Sequence, residues 1–263
     1  MIEKIHSLLD SLKLRHSRQT IAEVLQIAQK TKPSYSGFLL DLLHQEVEDK
    51  RNRTIASRIK NSGLTEYWTL ETFPWELQKS IQKHKRAILE LAELDFIDRG
   101  ESVVFIGGSG VGKSGLASGL LMKTLYAGRT ALCIKAQDLF EELDASIADR
   151  STKSFLKRLS RFDVLLIDDF GYVTPTNQVL INNFFRLMDY RCNRKSCLIT
   201  TNLGFREWTK FLGNGSVVSA LLSRLLQKCH TFSIDGINLR DPALKLPSAP
   251  PKPPILNSLC QKH

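Results

Sequence analysis

Residues 107–114 read GGSGVGKS and directly follow the apolar run SVVFI. Glycines at this spacing let the backbone curl until successive N–H groups point inward, an arrangement that suits phosphate oxygens. A helix opening near Gly112 would bring its positive dipole end to the same spot. The pattern G-x-x-x-x-G-K-[ST] assigns Gly107, Gly108, Ser109, Gly110, Val111, Gly112, Lys113 and Ser114 to a phosphate cradle. Lys113 would reach the β- and γ-phosphates of a nucleotide, and the Ser114 hydroxyl would coordinate Mg²⁺. Such a loop joins a strand to a helix at the head of a parallel sheet, so this one stretch demands an α/β fold.

The chain beyond it has the matching rhythm. The runs SVVFIG, TALCIK, FDVLLID, SCLITT and HTFSI read as strands, separated by helical periods near 113–126, 137–148, 152–160, 178–190 and 217–228. Strands that are apolar almost throughout belong to a parallel sheet with helices on both faces. The first hundred residues look helical instead. IHSLLDSLKL and TIAEVLQIAQK are short amphipathic segments, and one long helix is expected after Pro33, closed by Asn61-Ser62-Gly63. Its apolar stripe would be Phe38, Leu39, Leu42, Leu43, Val47, Ile55 and Ile59. LTEYWTLETFPWE reads as a linker whose aromatic side chains dock somewhere, and LQKSIQKHKRAILELAEL as a lead-in helix. Six of the nine prolines follow residue 241, which marks an extended, disordered tail. The expected organisation is a helical domain over 1–63, a linker and lead-in over 64–101, an α/β core over 102–240 and a Pro-rich tail over 241–263.

A second acidic motif narrows the chemistry. FDVLLIDDFG places Asp168 and Asp169 at the carboxyl end of an apolar strand, the edge where open α/β sheets bind ligands. Asp168 is positioned to hold the magnesium ion, and Asp169 to orient and deprotonate an attacking water. The strand SCLITTN ends in polar groups that would lie between the two motifs, with Asn202 the first choice for a contact to the γ-phosphate or the water and Thr201 the second.

Charge indicates the partner. The net charge is +10, and the excess is concentrated after residue 100, where 21 basic face 13 acidic side chains. A polyanion is favoured, because each phosphate contact releases counterions. The basic clusters are Lys50 to Lys60, then Lys153, Lys157, Arg158 and Arg161, then Arg186, Arg191, Arg194 and Lys195. No helix-turn-helix or base-reading signature accompanies them, so contacts to a nucleic acid would be mostly to phosphates. No apolar run is long enough to span a membrane, and the N-terminus mixes acids with bases, so the cytoplasm is the expected location. Five cysteines without a C-x-x-C pair give neither a zinc site nor a disulfide framework.

The order of motifs resembles the AAA+ class of ATPases and, more closely, the IstB-like family, ATP-binding helper proteins of transposition related to the DnaC-type helicase loaders. The resemblance is carried by LDFIDRGESVVFIGGSGVGKSGLA, LSRFDVLLIDDFGY, LITTNLGFREW and ALLSRLLQKCHTFSIDGINLRD. It implies a self-assembling, DNA-binding ATPase that marks target DNA for a partner transposase. It also implies that Arg224 is the arginine completing the site of a neighbouring subunit, and that Arg240 contacts nucleotide within its own subunit. Three positions depart from the pattern: Asp169 stands where Glu is usual, Ser223 where Asp precedes the arginine, and Asn238-Leu239 where Ser-Tyr is common. The shorter Asp169 implies slow hydrolysis. Alternative readings are a DnaC-like helicase loader, a small-molecule P-loop kinase, and an architectural DNA binder that never turns nucleotide over.

Overall fold

The structure, a computed structural model, describes residues 1–172, 175, 177–213, 215–241 and 244. The expected Pro-rich tail lies outside the described residues apart from Asp241 and Leu244. The chain divides into two compact units, with the division between Ser57 and Arg58.

The first unit holds α1 (Ile2–Ser11), α2 (Arg15–Thr31) and most of α3 (Tyr35–Lys60), whose last residues from Arg58 belong to the second unit. Its centre is as much polar as apolar. The buried Glu46 carboxylate accepts from the Ser17 N–H (2.7 Å) and hydroxyl (2.9 Å), which satisfies free donors in the first turn of α2. Arg53 pairs with both Glu46 and Asp49. The apolar stripe expected along α3 is only partly buried: Ile55 is covered, whereas Leu39, Leu43 and Val47 are exposed. The reason is length. A helix of 26 residues is about 39 Å long, while α1 and α2 bury just Leu9, Ser17 and Ile21.

The second unit is built on five parallel strands: β1 (Ser102–Gly107), β2 (Ala131–Lys135), β3 (Val164–Phe170), β4 (Ser196–Thr201) and β5 (Cys229–Ile234). Their order is β2-β3-β4-β1-β5. Val103, Val104, Phe105, Leu165, Leu166, Ile167, Leu198 and Ile199 are fully buried, so the middle of the sheet is covered on both faces. Because β4 lies between β3 and β1, its last residues stand between the acidic motif and the phosphate loop.

The lead-in stretch does not form one helix. It is a 3-10 turn (Trp75–Leu77) followed by α4 (Lys79–Gln82), α5 (Lys85–Leu91) and α6 (Asp95–Asp98). The chain breaks at Lys83-His84 and turns again at Leu94, which takes a left-handed conformation, and Ile81, Ile88, Leu91 and Phe96 are buried along it. The stretch read as a linker also has a buried side, with Leu70, Phe73 and Trp75 covered and the Trp75 indole bonded to the Leu70 carbonyl at 2.8 Å. The helices after the loop are α7 (Lys113–Tyr126), α8 (Ala136–Ala148), α9 (Thr152–Ser160), α10 (Gln178–Arg191), α11 (Phe205–Phe211) and α12 (Gly215–Gln227). Of these, α11 was not legible in the sequence. It is about two turns of helix anchored by the buried Trp208.

Among the described residues Cys133, Cys192, Cys197 and Cys229 are free. Burial pushes the Cys133 thiol up to about 12 and that of Cys229 up to about 11, which keeps both protonated and inert. No helix among the described residues is long and apolar enough to cross a membrane.

Candidate nucleotide-binding site

The phosphate loop runs from the end of β1 into the first turn of α7. Gly112 sits at the helix start with φ of 100°, a left-handed conformation, and a Cβ there would fall 2.8 Å from the Phe73 ring. Glycine is required on both counts. Ser109, Gly110, Gly112, Lys113 and Ser114 line a cavity of 430 Å³, within the roughly 300–1,000 Å³ typical of small-ligand sites. The other three loop residues serve the frame. Gly107 lies against the Ile234 carbonyl of β5, Gly108 offers its carbonyl to Lys113, and the Val111 side chain is buried.

Lys113 folds back over the loop and donates to the Gly108 carbonyl at 2.7 Å. Burial lowers its pKa, and the nearby Asp169 and Asp168 carboxylates oppose that shift. The Ser114 hydroxyl donates to Asp168 Oδ1 at 2.8 Å, so the two magnesium candidates stand side by side. Asp169 lines the cavity. Its pKa is raised, first by burial and then by the Asp168 charge, against the pull of Lys113, Arg240 and Lys135.

The aspartates occupy a β-bulge. From Ile167 to Phe170 β3 advances three residues while β4 advances two, from Ile199 to Thr201. Asp169 takes the left-handed conformation there, with φ of 56°. Thr200 holds this bulge. It is fully buried, its hydroxyl donates to Asp168 Oδ1, and its oxygen accepts the Asp169 N–H at 2.9 Å. The two strand-end choices made from sequence sit differently. The Thr201 hydroxyl accepts the Leu203 N–H at 3.0 Å, and Asn202 is exposed beside Gly171, with neither among the cavity-lining residues. Thr200 was passed over because one strand-end hydroxyl looks like another until the bulge is seen.

The far wall of the cavity comes from the supposed linker. Trp68 and Phe73 stand over the start of α7, both within 3.7 Å of where a Gly115 Cβ would be, and Pro74 continues the wall. The Trp68 indole is tied to Glu66 Oε2 at 2.7 Å. Flat aromatic faces beside a phosphate cradle suit a heterocyclic base. Tyr172 and Arg240 also line the cavity.

Of the two candidate arginines, then, Arg240 is at the site and Arg224 is not. Arg224, in the last turn of α12, is exposed and pairs with Asp189 of α10. The basic clusters also separate. Arg191 is fully buried and donates to the carbonyls of Leu159 (2.8 Å), Phe162 (2.9 Å) and Ser196 (2.6 Å), so it ties α9 and β4 together and does not face solvent. Lys195 is paired with Asp163, and Arg158 with Glu142. Lys153, Lys157 and Arg161 are exposed, opposite the buried Phe155, Leu156 and Leu159 of α9.

The comparisons fit this geometry. A family model described as "IstB-like ATP binding protein" matches residues 7–244. The "Insertion sequence IS21 putative ATP-binding protein" of Pseudomonas aeruginosa is 33% identical over 239 residues, covering 91% of this chain and 89% of the relative. Its counterpart from insertion sequence IS5376 of Geobacillus stearothermophilus is 31% identical over 240 residues, 91% of this chain and 94% of its own. Among solved structures, the DnaC helicase loader superposes with a TM-score of 0.55 at 24% identity, over 64% of this chain and 98% of that one. AMPPCP-bound DnaA from Aquifex aeolicus gives 0.54 at 16%, over 74% and 60%. At these identities the likeness is one of fold, that of the AAA+ P-loop proteins. Family match and relatives agree over nearly the whole length, and this chain belongs to the IstB-like ATP-binding protein family.

Proposed function

We propose that this protein is an ATP-hydrolysing transposition helper that assembles on double-stranded DNA and recruits or activates a partner transposase, with hydrolysis regulating the complex. The observation that carries the reading is the match, over nearly the whole chain, to ATP-binding proteins of insertion sequences.

The site residues then take the following parts. Backbone N–H groups of the loop and the start of α7 bind the phosphates, and Lys113 neutralises charge on the β- and γ-oxygens. Ser114 and Asp168 are hard oxygen donors 2.8 Å apart and fit a magnesium ion. Among the described residues no cluster of three or more His, Cys, Asp or Glu could hold a metal, so an ion here would draw its other ligands from phosphate and water, as magnesium commonly does. Its chemistry when bound is to offset phosphate charge. Asp169 takes the proton of the attacking water, and its raised pKa makes it a better base than an ordinary carboxylate. Trp68 and Phe73 hold the base. Arg240 contacts phosphate from the same subunit, and Arg224, exposed and remote from its own cavity, serves the neighbouring subunit. Lys153 and Lys157 on α9, with Arg161 at its C-terminal cap, meet DNA phosphates.

A second reading, a helicase loader, is favoured by the fold likeness to DnaC. The test is binding to a random-sequence duplex and to a single strand, by gel shift and sedimentation, with and without a non-hydrolysable ATP analogue. Nucleotide-dependent, salt-sensitive assembly on duplex supports the helper. Binding to single strands alone would shift the assignment to the loader. Lys113→Ala should lose nucleotide binding and assembly together, and wild-type-like assembly by this variant would uncouple the two.

A further inference from the structure

Gln78, between the Trp75–Leu77 turn and α4, is fully buried, yet it carries a polar amide. Its Nε2 donates to the Ile237 carbonyl at 2.6 Å and to the Val111 carbonyl at 3.2 Å. Val111 is in the phosphate loop, and Ile237 lies three residues before Arg240. The two acceptors fix which way round the amide sits, because turning Oε1 toward them would set three oxygens face to face. Both N–H groups are thereby used, and Oε1 is left buried without a hydrogen-bond partner. An aliphatic side chain would fill the space without that cost, but would strand two carbonyls.

The segment after β5 is fastened at both ends around this amide. The Asp235 N–H bonds the Ser80 hydroxyl at 3.0 Å, and a Cβ on Gly236 would fall 1.7 Å from Gln78 Oε1. The Leu239 N–H bonds the Gly110 carbonyl at 2.8 Å. The Asn238 Oδ1 accepts the Arg240 N–H at 3.0 Å and packs so close to Gly110 that a Cβ there would fall 1.7 Å away. Residues 235–238 are otherwise exposed and belong to no helix or strand, so the place of Arg240 over the cavity depends on these few bonds and not on regular secondary structure.

We propose that Gln78 is a positioning residue that locks the Arg240 segment in register with the phosphate loop, so that one buried amide sets the approach of Arg240 to nucleotide. This rests on the reading of Arg240 as a phosphate contact. Gln78 itself does not line the cavity and acts through its two neighbours.

The test is a double-mutant cycle on the full chain, titrating ATP and ADP by displacement of a fluorescent ATP analogue, with a thermal melt of each variant. Arg240→Ala should weaken ATP about tenfold. Gln78→Met, similar in volume but without donors, should produce most of that loss alone, and in the Arg240→Ala background should add less than about twofold. Losses that multiply would overturn the proposal, since Gln78 would then support the loop independently of Arg240. An Arg240→Ala variant with unchanged affinity would sink the Arg240 reading, and the proposal with it. If Gln78→Met fails to fold, Gly236→Ala answers the same question. It keeps the amide but displaces Oε1, and the same non-additivity with Arg240→Ala is expected.

Discussion

Asp169 combines two kinds of strain, a left-handed backbone and a carboxylate whose raised pKa means that its charge is disfavoured where it sits. The sign of the linkage follows. A carboxyl with a folded pKa above its unfolded value binds more protons when folded, so its contribution to stability falls as pH rises through the window that opens at the ordinary carboxylate value. Asp169→Asn removes the charge and substitutes a residue that tolerates φ > 0. It should melt higher than wild type at pH 8, with the difference shrinking as pH falls through that window and gone below the ordinary carboxylate value, and should bind ATP without hydrolysing it. Retained turnover would remove Asp169 from the role of base. Thr200 acts one step back. Thr200→Val keeps the shape but takes the partner from the half-buried Asp169 N–H, at a cost of about 1 kcal/mol. The ATPase kcat should fall while ATP affinity changes little, and equal loss in both would mean that the hydroxyl supports binding rather than the geometry of hydrolysis.

At the scale of elements, α9 and the end of α10 show what a basic sequence run conceals. On paper Arg191 and Lys157 are equivalent cations. In the fold one is buried against three carbonyls and the other is exposed. Replacing Lys153, Lys157 and Arg161 together by Ala should leave ATP binding intact. The slope of log K against log salt for duplex binding should become shallower by about 2 to 3, at roughly 0.9 per phosphate contact. An unchanged slope would take α9 off the DNA and direct attention to Lys50, Arg51 and Lys60 of α3, which are also exposed. Arg191→Ala is the contrasting control and should lower the melting temperature. The same contrast explains what could be read in advance. The phosphate loop and Asp168-Asp169 were legible because their chemistry is written in consecutive residues, and the strands because burial on both faces makes them apolar throughout. Thr200, Gln78 and the Glu66–Trp68–Phe73 wall were not, because each acquires its part from contacts with chain far away in sequence. Gln78 reaches from the lead-in to the end of β5. The lead-in helix was misjudged because a single apolar period cannot register the break at Lys83-His84 between α4 and α5.

The whole molecule raises a question that a single chain leaves geometrically open. Arg240 lines the cavity, whereas Arg224 is held by Asp189 on an exposed surface made by α10 and α12. If Arg224 completes a neighbour's site, each active centre needs two chains, and defects in different parts of the centre should complement. An Arg224→Ala chain keeps its loop and base but offers no arginine. An Asp169→Asn chain keeps Arg224 but has no base. Each alone should be inactive. Mixed in equal amounts on DNA with ATP, random neighbours pair an intact base with an intact arginine at about one interface in four, so about a quarter of wild-type ATPase should return. If Arg224 acted within its own chain, no mixture would contain a complete site, and turnover would stay at the level of the separate variants. Asp189→Ala tests the surface by a different route. It frees Arg224 from its intramolecular ion pair, and under the two-chain arrangement it should raise ATPase activity or leave it unchanged, whereas an ion pair needed to aim the arginine across the interface would make the same substitution lower it.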